Sequence, residues 1–140
     1  MSEEKTPVKK YEVSISRETE KTAVAMAHGT TLKMSMHGMD PTLGFTAPET
    51  VIAGYGACLM TNIGKEAQAR SLKIDDARID FTATKRNDPV GIENLHCTIT
   101  LKSAESKDKL NELLAKAVSY GTATNAINEG LVAAFDYVFK

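Results

Sequence analysis

The sequence predicts an α+β domain, and three observations carry that prediction. Short segments of apolar–polar alternation open the chain, a long helix with a charge-free first half follows, and a second, smaller set of strands and one more helix come after it. The central feature is the run Val51–Ile63, VIAGYGACLMTNI, thirteen residues without a charge and with Cys58 inside it. A thiol in such a helix is either inert packing or a reactive centre.

Taken in order, residues 1–9 are a mixed-charge tail and residues 10–140 a single domain. Tyr11–Ser16 and Thr22–Met26 alternate as strands around the polar turn Arg17–Glu20, and His28-Gly29-Thr30 turns the chain into a third strand, Leu32–His37. The breaker-rich Gly38–Gly44 is a loop. Pro48 and Glu49 suit a first helical turn, because proline needs no partner for the amide it lacks and a carboxylate complements the dipole. The long helix is expected from Pro48 to Arg70, buried at its apolar start and emerging into water at Lys65–Arg70. Two strands, Ile74–Ala83 and Glu93–Leu101, should be joined across Asn87–Gly91. Ser106–Val118 carries Leu110, Leu113, Leu114 and Val118 on one helical face; Tyr120–Asn128 suits a short helical turn stopped by Gly130; Leu131–Phe139 alternates as a closing strand. A helix apolar on all sides needs cover beyond one sheet, so a homodimer is expected whose interface includes it.

Composition narrows the function. A net charge of −1 with both signs interspersed offers no footprint for nucleic acid or an anionic membrane surface, and the longest apolar run is too short to span a bilayer. The amino-terminal residues carry no export-type apolar segment, which points to the cytoplasm, where Cys58 and Cys97 would stay reduced. The spacing of the cysteines and of His28, His37 and His96 supports no metal site, and no cofactor motif is present.

The element order, with APETVIAGYGAC opening the central helix and the Tyr-x-x-x-x-Asn segment Tyr120–Asn125 after the second, resembles the OsmC/Ohr family of osmotically inducible and organic hydroperoxide resistance proteins. The resemblance implies an intertwined dimer of antiparallel sheets wrapped around long buried central helices. It also implies a peroxidatic role for Cys58, with Glu49 as the family's acidic residue and Arg17 as the candidate for its active-site arginine. Two departures stand out. Proline lies one position closer to the cysteine than is usual, and Gly121 occupies the place of the resolving cysteine of the hydroperoxide reductases.

Such chemistry requires a thiolate, whereas burial raises a thiol's pKa and the helix dipole is weak two and a half turns in; a neighbouring cation, a guanidinium held by Glu49, is therefore expected. Glu49 and Cys58 are nine residues apart, about 13 Å along a straight helix, so within one such helix they cannot touch: Glu49 precedes the helix and folds back, reaches Cys58 through an arginine, or serves the partner subunit's site. Organic hydroperoxides are the expected substrates and an external thiol the reductant, since Cys97 alternates with Leu95, Ile99 and Leu101 as a core residue. Two other functions fit the same residues: a non-enzymatic binding protein for a small apolar ligand with Cys58 as a spacer, and a stoichiometric redox sensor.

Overall fold

A computed structural model describes residues 9–37 and 40–140. The expected tail therefore lies outside the described residues but for Lys9, as do Gly38 and Met39 of the loop. The chain divides after Thr50 into two compact units.

In the first unit, β1 (Ser14–Arg17), β2 (Thr22–Ala27) and β3 (Thr30–Ser35) form an antiparallel sheet in that order, as the alternation predicts. The β2–β3 hairpin closes through His28 and Gly29, both at positive φ (53° and 77°), the geometry in which a two-residue loop matches the strands' twist. A 3₁₀ turn at Pro41–Leu43, capped by Asp40, leads towards the long helix α1 (Ala47–Ala69). Glu49 Oε1 accepts from Thr46 N at 2.9 Å and Thr46 Oγ1 at 2.8 Å, a capping box that satisfies the donors of the first turn.

In the second unit, β4 (Asp76–Asn87) and β5 (Val90–Lys102) pair antiparallel with a register shift between Thr82 and Thr84. The helix α2 (Lys107–Ala117) is capped by Ser106 and buries Leu113 and Ala117 completely. These two pack with Ile63 and Ala67 of α1 into the core, flanked by Leu72, Ile74, Ile79, Ile99, Leu101 and Leu114. Gly56 lets Phe81 of β4 lie against α1, since a Cβ there would come within 2.9 Å of the Phe81 ring. The last helix, α3 (Thr122–Glu129), is two full turns rather than the short turn expected.

Two expectations need correction. Within one chain the buried residues of α1 are Leu59, Asn62, Ile63 and Ala67, towards its second half, while Val51, Ala53, Gly54 and Ala57 of the charge-free half are exposed. One sheet and one helix can cover only one side of it. Leu131–Phe139 forms no strand and its large side chains are 75–93 % exposed. Alternation supplies the pattern of a strand, but a strand exists only against a hydrogen-bonding neighbour, and among the described residues none pairs with it. No described helix is long and apolar enough to cross a membrane.

Candidate functional site around Cys58

Cys58, Asn62 and Glu66 recur every fourth residue and so form one stripe along α1. Each of the last two holds a piece of the connection between α2 and α3. Asn62 Nδ2, buried, donates to Ala117 O at 3.1 Å and Tyr120 O at 2.6 Å, closing the carboxyl end of α2. One turn further along, Glu66 Oε2 accepts from the Tyr120 hydroxyl at 2.8 Å, and its other oxygen pairs with Arg70 at 2.5 Å. These bonds lower the Glu66 pKa and raise that of Tyr120. With the connection pinned beside Asn62, the next residue, Gly121, is delivered against the remaining member of the stripe, Cys58.

Gly121 is the N-cap of α3, at φ 150°, and being glycine it supplies no capping side chain. The first amides of α3 are thus left without the side-chain oxygen that usually receives them. The Cys58 sulfur lies beside that place, against Gly121. Burial pushes the thiol's pKa up, but the donors at the start of α3, the Thr124 and Ala123 amides foremost, outweigh it and hold the pKa below the ordinary thiol value. The approach is close: a Cβ on Gly121 would lie 2.5 Å from Cys58 Sγ, 2.6 Å from Thr124 Oγ1 and 3.2 Å from Asn62 Nδ2. Only glycine permits both this contact and this backbone conformation.

The donors that lower the pKa therefore belong to the amino terminus of α3, the role that the sequence reasoning assigned to a guanidinium. Sequence inspection misses Gly121, Thr124 and the holding role of Asn62. Gly121 reads there only as a missing cysteine; the available signal was a glycine directly before a Thr-Ala-Thr helix start. Of the other candidates, Glu49 is exposed and engaged in the capping box, and its carboxyl is held below its usual range by the Thr46 amide and hydroxyl. Arg17 is exposed at the end of β1, its backbone opposite Ala23. Cys97 is half-buried opposite Phe81 in the β4–β5 ladder, and burial pushes its thiol up, which makes it the less reactive of the two free cysteines.

Residues 37–134 match the family model of OsmC-like proteins. The chain belongs to that family. Its fold is that of an OsmC-like protein from Mycoplasma pneumoniae (TM-score 0.78, 16 % identity, covering 86 % of this chain and 88 % of that one). It is likewise similar to the organic hydroperoxide resistance protein OhrB of Bacillus subtilis (TM-score 0.61, 15 % identity, 84 % and 89 % covered). A third similar structure, from Vibrio cholerae, is an OsmC-like protein of unknown function (TM-score 0.68, 9 % identity, 85 % and 94 % covered). No curated protein matches the sequence. At these identities the solved structures establish the fold, while family membership is consistent with a part in peroxide resistance.

Proposed function

We propose that this protein is a cytoplasmic, homodimeric, thiol-dependent peroxidase that reduces organic hydroperoxides through Cys58. The observation that carries this reading is the close approach of the amino terminus of α3 to the Cys58 sulfur across Gly121, where the helix amides favour the thiolate. The thiolate attacks the distal oxygen of a hydroperoxide; an S–O bond forms, the O–O bond breaks, and the departing alkoxide takes a proton from water. Cys58 is left as a sulfenic acid. One external thiol condenses with it, releasing water and giving a mixed disulfide, and a second frees Cys58. Gly121 in place of a resolving cysteine makes the external thiol necessary. Because the thiolate is the reactant, the rate rises with pH and levels off above the Cys58 pKa, below the pH at which an ordinary thiol would level off.

The dimer is supported by what one chain leaves bare. Ala53, Ala57, Met60 and Gly64 form an exposed stripe of α1 opposite the Cys58 stripe, and a Cβ on Gly64 would meet nothing within 4 Å. Leu131–Phe139 adds an alternating apolar segment that is exposed and unpaired among the described residues. Glu49 and Arg17 enter this reading through the resemblance. Glu49 has a structural role as a cap, and Arg17 enters as the candidate for the family's active-site arginine.

The test is cumene hydroperoxide added to reduced protein, read by intact mass with and without excess dithiol, with Cys58→Ser and Cys97→Ser as controls. Catalytic turnover that Cys58→Ser abolishes and Cys97→Ser keeps is the expected result. Gain of one oxygen without turnover makes the protein a stoichiometric sensor, and no reaction at Cys58 makes it a binding protein; either result overturns the proposal.

A further inference from the structure

Thr124 is 2 % exposed, and its hydroxyl has no hydrogen-bond partner among the described residues. A buried unpaired hydroxyl is costly, and a helical threonine ordinarily relieves that cost by donating back to a carbonyl one turn earlier. Thr50 and Thr61 both do so, to Thr46 O at 2.8 Å and Ala57 O at 2.9 Å. Thr124 does not. Its Oγ1 and the Cys58 sulfur both lie within 2.6 Å of the single point where a Gly121 Cβ would stand, so the hydroxyl faces the sulfur across the hydrogen-bearing side of a glycine.

We propose that the Thr124 hydroxyl is a catalytic hydrogen-bond donor to the Cys58 sulfur, kept without any other partner so that it is available to the thiolate and then to the oxygen the sulfur acquires. This assignment rests on the peroxidase reading for its second half only. The threonine keeps its proton throughout: the Cys58 proton leaves to solvent on ionisation, and the alkoxide draws its proton from water. The backbone amides at the start of α3 are fixed by the helix. The hydroxyl alone can rotate, donating to sulfur before the attack and to the sulfenate oxygen after it. Its β-methyl holds it in the core, since a threonine at this site is restricted at χ1.

The other groups around Cys58 are accounted for. On α1, Asn62 is committed to two carbonyls and Glu66 to Tyr120 and Arg70; at the end of α2, the Lys116 ammonium lies 5.6 Å from the Tyr120 ring centroid; on α3, Thr122 and Ala123 contribute backbone amides. A change confined to Thr124 leaves these contacts in place.

The test is the pH dependence of alkylation of Cys58 by iodoacetamide in a Cys97→Ser background, which needs no peroxide. Thr124→Val preserves shape and removes the hydroxyl, Thr124→Ala removes it in a smaller residue, and Thr124→Ser retains it. Both deletions should raise the midpoint by about one pH unit, that is about tenfold less thiolate at neutral pH, with Ser close to the parent. Circular dichroism identifies any variant that does not fold, and either deletion variant suffices. Unmoved midpoints in Val and Ala would overturn the assignment even if peroxide is turned over. A midpoint raised equally in Ser would also overturn it, because the methyl and not the hydroxyl would then be responsible. If the midpoints move as expected but the parent protein reduces no peroxide, the peroxidase reading fails while the hydroxyl's role at the thiolate stands.

Discussion

Replacing Gly121 by alanine tests the architecture of the site with one methyl group. The new Cβ would stand 2.5 Å from Cys58 Sγ and 2.6 Å from Thr124 Oγ1, where ordinary contact begins near 3.4 Å, so the start of α3 must withdraw by roughly an ångström. It would also force an L side chain to adopt φ 150°, at a cost of about 1–3 kcal/mol. Withdrawal lengthens the N–H contacts to the sulfur, and each hydrogen bond to a charged group contributes about 1.5–3 kcal/mol. Losing the equivalent of one raises the Cys58 midpoint by about one pH unit or more. Urea unfolding of the reduced protein should show a loss of about 2–4 kcal/mol, and alkylation against pH should show the raised midpoint. If Gly121→Ala leaves both unchanged, α3 does not abut the sulfur and the account of the site is wrong.

Asn62→Leu keeps the branched shape in a larger side chain but strands the carbonyls of Ala117 and Tyr120, so it should cost about 2–4 kcal/mol in urea and raise the Cys58 midpoint, because the α2–α3 connection is no longer pinned. An unchanged unfolding midpoint would contradict that role. Glu49→Gln retains a capping-box acceptor but not the charge; helix content by circular dichroism should hold, while a fall in peroxide turnover would show that the carboxylate acts beyond capping. Linkage through Glu49 has a definite sign. Its folded pKa lies below its unfolded one, so its stabilisation is present above the unfolded value and is lost as pH falls through the folded value, a loss that Glu49→Gln should abolish.

Much of the fold was legible because it is written in local pattern. The three-strand opening, the β4–β5 pair and both main helices follow from periodicity, and the Thr46–Glu49 start from capping chemistry. The closing strand was not, since a strand's existence depends on a neighbour that alternation cannot supply. At the site, Cys58 stood out as a thiol in a charge-free helix, yet what activates it did not. Its donors arrive from more than sixty residues away, through a bond network whose decisive member, Gly121, acts by lacking a side chain. Reasoning from residue type looks for charge, so it looked for an arginine; backbone amides carry no signature in a sequence. Helical spacing puts Asn62 on the cysteine's face, but which carbonyls it holds is a matter of tertiary packing.

The central claim is that the amino terminus of α3 holds the Cys58 sulfur as a thiolate. The most direct measurement is the ultraviolet titration of the thiolate in the folded Cys97→Ser protein, with Cys58→Ser as the blank. A midpoint clearly below that of the same protein unfolded in urea is the predicted result. A midpoint equal to the unfolded value or above it would contradict the account.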